Sequence, residues 1–422
     1  MTEVLVIGGG AAGSMAAIAA ARAGAMVTLW EKNGRLGKKL AITGKGRCNV
    51  TNAAPVDELI RNIPGNGRFL YSAFAAFDNR AVMDFFEELG VPLKVERGQR
   101  VFPQSDRAQD VTDALAAEMR RLKVCICYHK TAQELLFDAQ GGIGGAKAAD
   151  GTVEQARAVI LALGGATYQA TGSTGDGYKL AAAAGHTVIP PLPALVPLVS
   201  SDAWVAACAG LSLKNVELSL YKRGEVTKKQ LLYRGFGEML FTHFGISGPL
   251  VLSASRAAAG FWRDEPGAQL LALIDLKPAL AAEQLTVRLE RDIAAAPRRQ
   301  LHNALSELLP KSLIEPFIAL SGLDGTRPVN TLLHRERAAL VTLLKALPVR
   351  LSGTRPLDEG IVTQGGVLVK EIQPKTFASK ICPGLFIVGE LLDVDGFTGG
   401  YNLQAAFSSG HAAGLAAAEV VL

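Results

Sequence analysis

The apolar positions come in blocks of different rhythm, and the first block has the most structure in it. Val4-Leu5-Val6-Ile7 is an unbroken apolar run with β-branched residues, which predicts a short strand covered on both faces. It runs into Gly8-Gly9-Gly10-Ala11-Ala12-Gly13. Small residues then continue to Ala23, predicting a helix, and Gly24 is placed for a left-handed C-terminal cap. Val27-Thr28-Leu29-Trp30 predicts a second strand that ends on Glu31. Strand, glycine turn, helix, strand and acid form the whole context a dinucleotide motif requires, which a GxGxxG alone does not. Gly8 would make the tight turn, Gly10 would let a pyrophosphate approach the backbone, and Gly13 would let the helix lie close to the sheet. Glu31, twenty-three residues after Gly8, stands where a carboxylate takes a ribose hydroxyl.

Further along, 57–90 reads as helical, with Phe69, Phe74, Phe77, Phe85 and Phe86 near helical spacing as core. Short strands follow in 91–102, then an amphipathic helix in 110–122 and a strand at Val124-Cys125-Ile126-Cys127-Tyr128. The segments 131–137 and 151–157 predict a small antiparallel meander around a glycine turn at 141–145, which lacks the spacing of a second nucleotide motif. Ala158 to Leu163 predicts another buried strand, ending in Gly164 and Gly165 at the edge where ligands bind in open α/β sheets. The loop Thr171 to Tyr178 leads into an alanine helix, with Asp176 equally readable as a cap or a ligand contact. Pro190, Pro191 and Pro193 mark a boundary. Beyond it, 195–276 reads as β-rich and 280–347 as three or four helices. The tail returns to buried strand, glycine turn and small-residue helix, the logic of the opening motif. The expected division is a nucleotide-binding domain in two parts, 1–190 and 363–422. Between them lie a β-rich domain at 191–275, a helical part at 276–346, and a return to the β-rich domain at 347–362.

Composition changes this picture little. With 422 residues, 49% hydrophobic and 20% charged, the chain is globular and long enough for several domains. A net charge of +5 is too mild to argue for nucleic acid. Five cysteines without a CxxC predict reduced thiols and a cytoplasmic home, and Cys125 and Cys127 would share one side of a strand without metal-ligand spacing. No metal site is expected. No apolar stretch reads as a membrane span, and the N-terminus, rich in glycine and broken by Arg22, does not read as a leader. Charge matters in one place. From Lys32 to Arg47 there are six basic residues, four glycines and no acid. That predicts a positive folded loop beside the phosphate site. The alternatives are a solvated basic loop or an RNA patch, but the loop contains no aromatic residue on which a base would stack.

Three stretches together carry a family resemblance. They are the opening motif with Thr43-Gly44-Lys45-Gly46-Arg47-Cys48-Asn49-Val50-Thr51-Asn52, the middle His243-Phe244-Gly245-Ile246-Ser247-Gly248-Pro249, and the tail Gly389-Glu390 through Gly399-Gly400-Tyr401-Asn402-Leu403-Gln404. Over essentially its whole length the chain resembles the BaiN/YhiN-like bacterial FAD-dependent oxidoreductases, also called the aminoacetone oxidase family. The resemblance implies an α/β fold: a Rossmann-type FAD-binding domain interrupted by an insert with a β-barrel part and a small helical part. It also implies FAD contacts. Gly8, Gly10, Ala12 and Gly13 would hold the pyrophosphate, and Glu31 and Lys32 the adenosine ribose. Gly37, Lys38, Thr43, Gly46, Arg47, Cys48 and Asn49 would line the path to the flavin. Ala132 would meet the adenine through its backbone, with Ala162 and Gly164 closing that side. Gly389, Glu390, Asp393, Gly400, Asn402 and Leu403 would meet the ribityl chain and ring.

The function expected is two-electron transfer between a reduced nicotinamide, oxygen or both and a small organic substrate. Since no second GxGxxG exists, NADH or NADPH would bind transiently near the flavin. An RNA-binding or RNA-modifying flavoprotein is the alternative, although no contiguous basic, aromatic face is visible. A flavin-binding scaffold without turnover is the third. His243, Tyr401 and Cys48 are the acid–base candidates. His243, between Phe241 and Phe244, reads more readily as a core histidine, and Cys48 after Arg47 as a residue packed on the cofactor.

Overall fold

A parallel sheet of five short strands carries the first unit, in a computed structural model that describes residues 2–422. Its strands are β1 (Val4–Ile7), β2 (Val27–Glu31), β3 (Cys125–Tyr128), β4 (Ala158–Leu161) and β5 (Leu385–Ile387), in the order β5-β4-β1-β2-β3. All four pairings are parallel. The continuous apolar runs have the reason expected, since every residue of β1, β4 and β5 is buried. β1 has β2 on one side and β4 on the other, so its carboxyl end is the switch point at which open α/β sheets bind ligands.

Three helices matter for the site: α1 (Ala11–Arg22), α2 (Ala108–Arg121) and α3 (Tyr401–Val421). α3 lies directly on α1. A Cβ at Gly410 would come within 2.2 Å of the Ala12 carbonyl oxygen, and one at Gly414 within 2.3 Å of that of Ala16. The backbones touch because these positions are glycine. α2 is tied to the far end of α1 by Arg22, whose Nη2 donates to the buried Glu118 carboxylate at 2.7 Å.

The chain forms two compact units, one of residues up to Pro193 together with Leu357–Leu422, the other Ala194–Pro356. The second unit holds a closed six-strand barrel, all antiparallel, of Leu198–Ser200, Gly245–Ser247, Leu231–Thr242, Ser212–Lys222, Leu270–Asp275 and Leu347–Thr354. Between the last two strands come helices Ala282–Ala295, Leu301–Leu305, Lys311–Ser321 and His334–Lys345, which share one apolar core with the barrel. The α/β architecture with a barrel-and-helix insert is as the resemblance implies.

Two local expectations are corrected. The β-rich segment 195–276 contains a 16-residue helix, Pro249–Asp264. Pro249 opens it, where a missing N–H is harmless, and Leu250, Val251, Ala254, Ala258 and Phe261 form its buried face at helical spacing. The glycine turn at 141–145 is shorter than expected. Gly144 and Gly145 lie inside the strand Ile143–Ala148, and a Cβ on Gly145 would sit 2.1 Å from the Glu154 oxygen of the neighbouring strand.

Candidate cofactor site

The three motif glycines prove to have different reasons. Gly8 adopts φ +108°, and a Cβ there would lie 2.5 Å from the Ala162 oxygen. At Gly13 a Cβ would lie 1.8 Å from the Gly8 oxygen. Both are demanded by the protein's own packing. At Gly10 a Cβ would meet nothing within 4 Å. The open space lies at the start of α1, whose first backbone bond runs from the Ser14 N–H to the Gly10 carbonyl at 2.9 Å. The N–H groups ahead of it are the unpaired donors of a helix start, and no acid occupies the first turn. The result is a cradle for an anion.

Glu31 ends β2 with its side chain buried. Its Oε2 accepts from the Gly9 N–H at 2.8 Å, and its Oε1 accepts from the Asn33 N–H and Nδ2, each at 2.7 Å. A carboxylate offers about four acceptor positions, so room for a hydroxyl donor remains. The acid therefore also clasps the glycine turn to the start of the basic loop. Ala132, first residue of the strand Ala132–Phe137, is brought alongside by the Lys130 N–H, which donates to the Glu31 carbonyl at 3.0 Å. Ala162 continues β4, its N–H donating to the Ile7 carbonyl at 2.9 Å, and Gly164 follows with φ +74°.

Three of the basic loop's six cations are neutralised by carboxylates from elsewhere in the chain. Lys32 pairs with Asp176 at 2.9 Å and donates to Thr174 at 2.7 Å, so Asp176 acts as an ion-pair partner, while Gly175 is the residue at the helix N-cap. Lys38 donates to the Ala170 carbonyl at 3.0 Å. Lys39 pairs with Glu390 at 2.7 Å. Arg47 is held by Glu96 and Asp106 and lies over the Phe102 ring at 4.2 Å. Arg35 and Lys45 are exposed. Gly37 donates its N–H to the Gly9 carbonyl at 2.8 Å, Thr43 donates its hydroxyl to the Leu40 carbonyl at 2.7 Å, and Gly46 turns with φ +82°. Cys48 is fully buried, and burial pushes its thiol up to about 12. With Arg47 committed to two carboxylates, no thiolate is favoured at Cys48. The Oδ1 of Asn49 is buried without a hydrogen-bond partner, an acceptor that a ligand's N–H would satisfy.

The tail closes the same unit. Gly389, at φ +67°, donates its N–H to Ser409 Oγ at 3.1 Å, and a Cβ there would lie 2.8 Å from that of Ala12. Glu390 accepts from the Thr363 N–H at 2.9 Å as well as from Lys39. The Asp393 carboxylate accepts from Asn66 Nδ2 at 3.0 Å. Gly400 is the N-cap of α3, with φ +98°, and a Cβ there would lie 2.3 Å from the Thr51 oxygen. Asn402 both accepts from the Gly396 N–H at 2.7 Å and donates to its carbonyl at 2.8 Å, and Leu403 packs partly buried on the core. Burial pushes the Tyr401 phenol upward, so it keeps its proton at neutral pH.

The donor set fits a dinucleotide with an aromatic ring system. An open cradle lies at a helix start, a buried carboxylate retains acceptor capacity, and an orphaned acceptor stands at Asn49. Among the described residues, four further buried polar atoms without a hydrogen-bond partner, Trp30 Nε1, the Tyr178 hydroxyl, Gln364 Oε1 and His411 Nδ1, belong to the same unit, and Gln364 stands beside the Gly365-Gly366 turn. His243 departs from expectation. It is exposed in the turn before Gly245–Ser247, its ring edge-on to Phe244, and is no core histidine.

A family model described as the HI0933-like protein Rossmann domain matches residues 2–416. The chain belongs to this family of FAD-dependent oxidoreductases. It is 35% identical to a 3-dehydro-bile acid delta(4,6)-reductase of Clostridium scindens, over 99% of this chain and 100% of the relative. It is 30% identical to a ribosomal RNA dihydrouridine synthase of Haemophilus influenzae, over 98% of each chain. Among solved structures, a 3-ketosteroid delta1-dehydrogenase of Sterolibacterium denitrificans superposes with a TM-score of 0.53, covering 99% of each chain at 13% identity, a likeness of fold alone. Among the described residues no helix is long and apolar enough to cross a membrane, and no group of three or more potential metal ligands occurs.

Proposed function

We propose that this chain is an FAD-dependent reductase of the cytoplasm that takes two electrons from NADH or NADPH and delivers them to a carbon–carbon double bond of a small ring compound. The observation that carries the reading is the Gly10 cradle, open at a helix start and flanked by the buried Glu31. Bound there, FAD supplies two-electron transfer. The residues that would hold it are those the family resemblance names. The backbone from Gly10 to Gly13 binds the pyrophosphate, Glu31 orients the ribose, and Asn49 takes a ring N–H. The class of substrate is supported by the relatives' names, since a delta(4,6)-reductase and a dihydrouridine synthase both add hydrogen across a ring double bond. No catalytic acid is assigned.

RNA is the second reading, favoured by the name of the Haemophilus influenzae relative. The internal pairing of Lys32, Lys39 and Arg47 weighs against it, because cations already neutralised release few counterions from a phosphate backbone. The test is anaerobic titration of the purified yellow protein with NADH and with NADPH, followed by unsaturated ring ketones or unmodified ribosomal RNA. Reoxidation by a ring ketone is the expected result. Reoxidation by RNA alone, with 260 nm absorbance in excess of the flavin, would establish the second reading.

A further inference from the structure

Of the four cysteines to which the cofactor reading gives no task, two stand at the surface. Cys125 and Cys127 lie on β3, the edge strand of the parallel sheet, two residues apart and therefore on one face. Their sulfurs are 4.0 Å apart. Cys125 is exposed and Cys127 partly so, whereas Cys48, Cys208 and Cys382 are buried. An oxidant in solution meets this pair first.

We propose that Cys125 and Cys127 form a reversible dithiol–disulfide site on the sheet edge, whose closure loosens the neighbouring strand that ends in Glu31. The geometry makes the bond reachable but strained. An extended strand separates such Cα atoms by about 6.4–6.8 Å. That is the upper limit of the roughly 4.4–6.8 Å window that a disulfide spans. Closing it draws β3 out of full extension, and a bond held at that limit is readily reduced, as a labile rather than a structural disulfide is.

The contraction is transmitted through the ladder. β3 pairs with β2 in the register Thr28 to Cys125, Leu29 to Ile126, Trp30 to Cys127 and Glu31 to Tyr128. Immediately beyond, the His129 N–H donates to the Asn33 carbonyl at 3.3 Å and the Lys130 N–H to the Glu31 carbonyl at 3.0 Å. Asn33 in turn holds the Glu31 carboxylate. Shortening β3 pulls on the turn that orients that acid.

The oxidant is a peroxide. The Cys125 thiolate attacks one peroxide oxygen of hydrogen peroxide, the O–O bond breaks, and Cys125 sulfenic acid and water result once a proton is taken up. The Cys127 sulfur then attacks the Cys125 sulfur, the S–O bond breaks, and the departing hydroxide leaves as water with the Cys127 proton. Two thiols are oxidised and one peroxide is reduced to two waters. Burial, and after it the adjacent Cys125, hold the Cys127 thiol above its ordinary range, which leaves the first attack on peroxide to the more exposed Cys125.

Both cysteines fall in one tryptic peptide, 124–130, between Lys123 and Lys130. Hydrogen peroxide added to the FAD-loaded protein should remove two hydrogen atoms from that peptide, and dithiothreitol should restore them. Amide hydrogen exchange across 27–33 should quicken several-fold in the oxidised protein. Cys125→Ser and Cys127→Ser should show neither effect. Peptide oxidation only to sulfinic or sulfonic acid, or a cross-link with unchanged exchange across 27–33, would overturn the proposal. The consequence for FAD, a several-fold weaker affinity after oxidation, rests on the cofactor reading above. Faster exchange with unaltered FAD affinity would keep the thiol pair and remove Glu31 from the cofactor.

Discussion

α1 and α3 begin alike in sequence and differently in space. Each helix starts directly after glycine, and each lacks an acid in its first turn. At the start of α1, the missing side chain of Gly10 faces open space. At the start of α3, the space a Gly400 side chain would fill is taken by the Thr51 backbone. One glycine leaves room for a ligand and the other for the protein itself. A glycine at a helix N-terminus is therefore no binding signal until its neighbours are known. The two helices are also secured differently at their far ends. α1 ends in Arg22 on the buried Glu118, while near the end of α3 the Arg157 side chain donates to the Val421 carbonyl at 2.5 Å.

The sharpest way to break this contrast is Gly400→Ala. A left-handed conformation costs a non-glycine residue about 1–3 kcal/mol, and the overlap with Thr51 adds to it. A stability loss of about 3–5 kcal/mol is expected in urea denaturation of the FAD-free protein. Unchanged stability would mean that Gly400 is kept for the ligand after all.

Next comes the anchor of α1. Arg121 and Arg22 hold the Glu118 carboxyl down at about 2, against an ordinary value of 4.5. A depressed folded value stabilises above the unfolded value, and the gain is lost as pH falls from about 4.5 to about 2. The expected loss over that window is about 1–3 kcal/mol, allowing for the exposure of both arginines. Glu118→Gln should be less stable at pH 7 and lose less on acidification. Parallel acid titrations of the two proteins would disprove the anchoring role.

Glu31→Ala should weaken FAD binding by about 1–3 kcal/mol, through loss of a charged acceptor. Because Glu31 also holds Gly9 and Asn33, the FAD-free protein should become less stable as well. Equilibrium dialysis and denaturation separate the two effects, and full FAD affinity would place the ribose contact elsewhere.

The smallest effect on stability belongs to Gly10→Ala. Its φ of −82° suits alanine and its Cβ would touch nothing, so stability should stay within about 0.5 kcal/mol. FAD affinity should nonetheless fall about tenfold, or about 1.4 kcal/mol, because the methyl occupies the cradle. Stability and affinity falling together would erase the distinction between the two helix starts.

Most of the cofactor unit was legible along the chain because its signals are local. An unbroken apolar run says that a strand is covered on both faces, and Val4–Ile7, Ala158–Leu161 and Leu385–Ile387 are such strands. The spacing from Gly8 to Glu31 follows from the length of one βαβ unit. The helix Pro249–Asp264 escapes a sequence reading because much of its buried face is small, Ala254, Ser255, Ala258 and Ala259, and gives little apolar contrast within a β-rich stretch.

What only the tertiary structure decided is who faces whom. Six basic residues in sixteen looked like a positive surface, yet Asp176, Glu390, Glu96 and Asp106, distant along the chain, neutralise Lys32, Lys39 and Arg47. Gly410 and Gly414 looked like ordinary members of a small-residue helix until α1 was found against them. The chain by itself determined the local backbone, because strand, turn and helix depend on neighbouring residues. Whether an absent side chain or a positive charge meets solvent, ligand or protein depends on contacts between residues far apart in sequence, which no local pattern encodes.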